Sequence, residues 1–232
     1  MIVFDGVSID SVAPVMIEDI KVSPVRYNPV VRPRAIRFGS EFVRMGGGER
    51  TVVVTFAILE KNKVLRQEYF RNLSVWAKTD AEYMLELPQD PLRYLQCVCT
   101  DKPEPSTRAW WENKLRLTFT CYTNPYWTSK REKSVACGTA FFVLGDAPPL
   151  MRIENTSASG ATNQAFSNGT QTMTFSTIPT GQMVIDLNVQ TAEVGGNSIM
   201  QYYQPSGAFL LPMTGKQTIT GVGTVKYRER WE

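Results

Sequence analysis

A mainly β chain, α+β in its first part and all-β in its second, is predicted by three features of the sequence. The segment 114–123 alternates Leu115, Leu117, Phe119 and Cys121 with Lys114, Arg116, Thr118, Thr120 and Tyr122. Side chains of a strand alternate faces with period two, so this is a half-buried strand with a polar outer face. A β-branched run, Thr51-Val-Val-Val-Thr-Phe-Ala-Ile58, reads as a central strand. After about residue 147 charge almost vanishes, and short apolar runs are punctuated by Gly, Ser, Thr, Asn and Gln. That pattern suits a β-sandwich or jelly roll.

At the start of the chain, Ile2-Val-Phe-Asp-Gly-Val-Ser-Ile9 reads as strand, turn, strand. The segment 34–44 leads through Met45-Gly-Gly-Gly-Glu-Arg50, a glycine-rich hairpin tip, into the strand at 51–58. The period then changes. Leu65, Tyr69, Leu73 and Trp76 recur at helical spacing, with Asn62 placed to accept from an orphan amide as N-cap. Strands resume at 81–87, 93–100 and 114–123, and Asn124-Pro125 closes the last, because proline fixes φ and donates no hydrogen bond. Strands, one helix, then strands describe a sandwich with a helix on one side.

Residues 147–221 carry only Arg152, Glu154, Asp186, Glu193 and Lys216 as charged groups. Strands are expected at 150–155, 170–177, 182–188, 198–203, 216–220 and 223–231. In the last, Val225, Tyr227, Glu229 and Trp231 share one face. The polar segment 128–133 and Gly145-Asp-Ala-Pro-Pro149 place the boundary within 128–149. The expected division is a domain at 1–135, a linker at 136–145 and a second sandwich at 146–232.

Composition narrows the chemistry. Histidine is absent, which removes the commonest general base and metal ligand together. Cys97-x-Cys99 is one residue too tight for a structural zinc knuckle, and Cys121 and Cys137 have no near partner, so reduced core cysteines are expected. No nucleotide-binding or nucleophile-elbow motif occurs, and no carboxylate pair sits in a catalytic context, so neither catalysis, metal nor cofactor is expected. No apolar run is long enough for a spanning helix, and the start lacks the pattern of a secretory signal. A net charge of +3 says nothing about nucleic acid.

The feature with most functional content is the arginine group Arg26, Arg32, Arg34, Arg37, Arg44 and Arg50, interspersed with Glu41 and Glu49. Mixed charge with few stacking aromatics fits a protein–protein contact better than a nucleic-acid groove, and a plainly solvated face fits as well. Trp110-Trp111, Tyr122, Tyr126 and Trp127, or Phe166 with Tyr202 and Tyr203, are alternatives as a sugar platform, against which core or interface packing is weighed.

Taken in order, the features resemble the distal tail proteins (Dit) of long-tailed bacteriophages. The resemblance rests on the β-rich start, the glycine-containing hairpin, the strand at 50–58 and the single helix at 64–76. The aromatic box Phe119-Thr-Cys-Tyr-Thr-Asn-Pro-Tyr-Trp127 and Met183-Val-Ile-Asp186 ahead of Gly195-Gly-Asn197 complete it. Asn124 stands where the family often has Asp. The resemblance implies a virion structural protein with a galectin-like C-terminal sandwich, made in the host cytoplasm and sited at the distal end of the tail. The N-terminal domains would form a homohexameric ring between the tail-tube protein and the tail-associated hub protein. The outer sandwiches would meet a receptor-binding protein or host glycan. Closed rings use head-to-tail contacts between different patches, and Arg34, Arg37, Glu41, Arg44 and Arg50 are the candidate ring-interface residues. A carbohydrate-binding module is the rival reading; another type of tube or baseplate component is a third.

Overall fold

The computed structural model describes residues 1–33, 40–101, 114–158, 160–204 and 208–232. The chain divides into two compact units, Met1–Trp127 with Glu232, and Thr128–Trp231. Both are built mainly from antiparallel strands.

The first unit opens with β1 (Val3–Phe4) and β2 (Val7–Ser8), joined by Asp5-Gly6 with both residues at positive φ. That is the mirror-image turn a two-residue hairpin needs, and Asp-Gly is a pair that adopts it readily. Lys78 holds the turn from outside, its Nζ 2.5 Å from Asp5 Oδ2. One short helical turn, α1 (Ile9–Val12), is capped by Ser8. Then come β3 (Val15–Val22), β4 (Arg26–Pro33), β5 (Ser40–Ile58), α2 (Lys63–Trp76), β6 (Tyr83–Leu87), β7 (Asp90–Asp101) and β8 (Lys114–Cys121). Pairing runs β3–β5–β8–β7–β6–β1–β2, with β7 bonded to β6 along its first half and to β8 along its second.

The helix falls where the sequence places it, and Asn62 Oδ1 accepts from the Val64 amide at 2.9 Å. Its buried stripe is Phe70, Leu73 and Trp76 with Tyr69 alongside, while Leu65 is 40 % exposed. Leu65 lies on the first turn, outside the buried stripe, and Phe70 fills a core place the spacing had not assigned. Trp76 anchors the helix end. Its indole donates to Val7 O at 3.0 Å and meets Phe4 and Phe119 edge-on. Such aromatic pairs add roughly 1 kcal/mol each beyond the area they bury.

At the junction lies β9 (Trp127–Ser129). The second unit then comprises β10 (Lys133–Ala136), β11 (Ala140–Val143), β12 (Ala147–Ala158), β13 (Ala161–Ser167), β14 (Thr172–Ile178), β15 (Gly181–Asp186), β16 (Thr191–Val194), β17 (Asn197–Ser198), β18 (Tyr203–Gln204), β19 (Gly215–Thr218) and β20 (Thr224–Trp231). One sheet runs β10–β20–β12–β15–β16–β17; β13–β14–β18 and β11–β19 are the other two. Phe166, Phe175, Met173, Ile153, Ile185 and Val225 interlock in the core between them. Gly221 is needed at its turn, since its φ is +136° and a Cβ there would sit 2.4 Å from the Phe166 ring.

Three expectations change. The segment 136–145, expected as a linker, carries β11, which pairs with β19 and contributes Phe141 and Val143 to the second core. The segment 198–203 is largely a 3-10 turn, Met200–Tyr202, because Ile199 turns inward and accepts from the Tyr202 amide. The triplet Gly46-Gly47-Gly48 lies inside β5 and is no hairpin tip; the β4–β5 connection falls at 34–39, outside the described residues. Register explains the triplet. Tyr27 pairs with Gly48 and Pro29 with Met45, so two glycines face one residue in a bulge.

Candidate functional site

The candidate site is the arm formed by β4 and the first half of β5. On β5, the segment 52–57 is flanked by β3 and β8 and 50–51 pair with β8, whereas 40–49 pairs with β4 alone among the described residues. The eight residues of β4 span about 26 Å at strand rise. A two-stranded ribbon carries unpaired amide and carbonyl rows along both edges and is marginal in water by itself.

Register places the charged residues. Arg26 pairs with Glu49, Arg32 with Glu41 and Val30 with Arg44, so two opposite-charge rows cross the ribbon. Of the five residues expected at a ring interface, Arg34 and Arg37 lie outside the described residues. Glu41 and Arg44 are fixed in β5 by position, with side chains outside what is described. Arg50 differs. It pairs with Cys121 where the arm joins the sheet and is only 3 % exposed. Its parity is that of Val52, Val54 and Phe56, which all point into the core.

The root of the arm is held by Tyr27 and Glu232, which the sequence pattern did not single out, together with the Asn-Pro-Tyr box, which it did. The Tyr27 ring lies over Gly48, where an added Cβ would come within 3.2 Å of it. The Tyr27 hydroxyl donates to Glu232 and lies 3.3 Å from the Tyr126 hydroxyl. Burial, then the bond to the Glu232 carboxylate, pushes the Tyr27 phenol well above its ordinary range. Asn124, buried, accepts from the Tyr126 amide at 3.4 Å, so the Asn-Pro-Tyr box works as an Asx turn that presents Tyr126.

The aromatic alternatives disperse. Trp110 and Trp111 lie outside the described residues; Trp127 packs against the first core. Phe166 is fully buried, Tyr203 packs between Phe175 and Phe209, and Tyr202 rests on the second core. Among the described residues, no three His, Cys, Asp or Glu side chains converge as metal ligands. No helix in them is long and apolar enough to cross a membrane.

The second unit holds two charge assemblies. Glu229, 5 % exposed, accepts from Lys133 Nζ at 2.6 Å and from the Leu144 amide at 2.9 Å, tying both ends of the 133–144 segment to β20. Its sequence signal was a carboxylate in line with Val225, Tyr227 and Trp231. On the other face of the sheet Arg152 bridges Glu132 (2.8 Å) and Glu154 (2.5 Å), and Lys226 meets Glu154 at 2.7 Å. Hydrogen bonds from Lys226 and then Arg152 hold the Glu154 carboxyl below its ordinary range. These are structural pairings that link Glu132, just ahead of β10, with β12 and β20.

No family model matches the sequence, and no curated protein matches it. Among solved structures, the crystal structure of SPP1 Dit (gp 19.1) aligns with a TM-score of 0.75 at 14 % identity. The alignment covers 100 % of this chain and 98 % of that one. SPP1 Dit is a paradigm of the hub adsorption apparatus in phages infecting Gram-positive bacteria. The chain therefore has the fold of a phage distal tail protein from end to end. Two structures of the phage P2 baseplate in its activated conformation, with Ca and with Sr, align at TM-scores of 0.48 and 0.46. Their identities are 8 % and 10 %, over 95 % of this chain and 91 % of theirs. A likeness of that degree carries no functional argument.

Proposed function

We propose that this protein is a structural component of a phage tail tip, a distal tail protein whose first unit assembles into a hexameric ring. That ring seats on the tail-tube protein on one side and on the tail-associated hub protein on the other. The second unit is presented outward, toward receptor-binding parts. The protein acts by docking folded surfaces and transforms no substrate. The observation that carries this reading is the end-to-end likeness to SPP1 Dit, at a TM-score of 0.75 over both units. A shared fold can host unrelated functions, so the arm matters as separate support. A ribbon whose edges are unpaired among the described residues, with Arg–Glu pairs crossing it, suits a contact that buries those edges against a neighbouring copy.

Within this reading the proposed contact residues are Arg34, Arg37, Glu41 and Arg44. Arg50, enclosed in its own unit, has no surface to offer a neighbour. Sedimentation and negative-stain imaging of the purified chain test the proposal. Closed rings of about 157 kDa are expected (six chains of 26.1 kDa). A strictly monomeric chain that also fails to join tube and hub proteins when mixed with them would overturn it.

A further inference from the structure

We propose that Cys97 and Cys121 form a cross-strand oxidation site, a latent disulfide that staples β7 to β8 at the root of the arm. Val98 pairs with Thr120 and Cys99 with Phe119, so the same register continued by one residue sets Cys97 opposite Cys121. Both are fully buried, and the Cys121 thiol, as an immediate neighbour, helps to raise the pKa of Cys97. The next cysteine settles which kind of pair they form. The Cys99 amide donates to Lys78 O at 3.2 Å, so it points away from β8. Amide directions repeat every second residue, so the Cys97 amide also points away from β8, and Cys97–Cys121 is a non-hydrogen-bonded pair. Cα atoms in such pairs lie about 4.5 Å apart, inside the span of about 4.4–6.8 Å that a disulfide bridges. Cys99 opposes Phe119, and Cys137 belongs to the second unit.

The position gives the bond a consequence. Cys97 pairs with Tyr83 on its other side and Cys121 with Arg50, so the row Tyr83–Cys97–Cys121–Arg50 crosses β6, β7, β8 and β5. It is the last row before β5 leaves the sheet to run with β4. Oxidation would lock that row and fix the base of the arm. The chemistry needs a disulfide oxidant such as oxidised glutathione. One thiolate attacks it to give a mixed disulfide and one glutathione thiol. The second thiolate then displaces the other glutathione, and two electrons and two protons leave with the two glutathione thiols. Burial, then the neighbouring thiol, pushes the Cys97 thiol well up, so the folded pair reacts slowly and the bond closes while the chain folds. All of this concerns the first unit alone and stands whether or not rings form.

The test is to unfold the reduced full chain, refold it with oxidised glutathione or with dithiothreitol, and map the linked peptides without reduction. Oxidative refolding is expected to consume two of the four thiols, yield one Cys97–Cys121 peptide and raise the Tm by about 10 °C over the reduced form. The Cys99→Ser/Cys137→Ser variant, which keeps only the proposed pair, should behave alike. Retention of four thiols, or a linkage through Cys99 or Cys137, would overturn the proposal, as would a linked form with an unchanged Tm.

Discussion

Glu229 illustrates how much one side chain decides here. A buried carboxylate is costly unless its lone pairs are filled, and Lys133 and the Leu144 amide fill them. Glu229→Ala removes both links and leaves the amide with no acceptor, so we expect a loss of about 2–4 kcal/mol in urea-unfolding stability. Glu229→Gln keeps an acceptor for Leu144 and should lose less. Equal losses in the two variants would show that the charge alone matters. Glu154 gives a pH signature. Its carboxyl is held below the ordinary 4.5 by Lys226 and Arg152. A depressed folded value means that the stabilisation is complete above the unfolded value and disappears as pH falls through the folded one. Wild type should therefore exceed Glu154→Gln at neutral pH and begin to converge with it only as pH falls below about 4.5, as read from unfolding midpoints across an acid series. A gap that widens in acid would contradict the ion-pair geometry.

At the scale of elements, α2 and the β4–β5 arm behave oppositely. The helix is over-determined: an Asn62 cap, a stripe of Phe70, Leu73 and Trp76, and a Trp76 hydrogen bond to Val7 O all agree. Asn62→Ala should cost about 1 kcal/mol, measured by chemical denaturation, with the fold retained. A loss below the error of the measurement would mean that the cap is idle. The arm is a two-stranded ribbon, which is marginal in water by itself. Its strands were only half legible, because a glycine triplet in sequence signals either a turn or a bulge, and which it becomes depends on whether a partner strand pairs across it. Here β4 does, opposite Tyr27 and Pro29. The strand β11 escaped for a similar reason: Phe141 and Val143 form too short a pattern to register until β19 pairs with them.

For the whole molecule, the chain divides at Thr128, about twenty residues ahead of the point near 147 where charge thins out. The ring proposal belongs to this scale. Charge reversal at Arg37 and Arg44 together should abolish closed assemblies while the monomer stays folded, as checked by sedimentation beside circular dichroism. Unchanged sedimentation would remove these two arginines from the contact and leave the fold likeness intact. The candidate site was legible as a charge pattern, since arginines and glutamates interleave through 26–50. Its geometry was not. Arg50 belongs to the same run in sequence yet to the core in space.

Local chemistry, by itself, dictated where strands alternate, where the helix starts at Asn62, that Asn124-Pro125 ends a strand, and that two compositionally distinct parts exist. Each of those depends on interactions within a few residues, which a sequence displays directly. What awaited the tertiary structure was which strands pair, that Glu229 lies enclosed, that Tyr27 meets Tyr126 and Glu232, and that Cys97 faces Cys121. Those facts are products of register between segments distant along the chain. A shift of one residue would turn every such side chain to the opposite face.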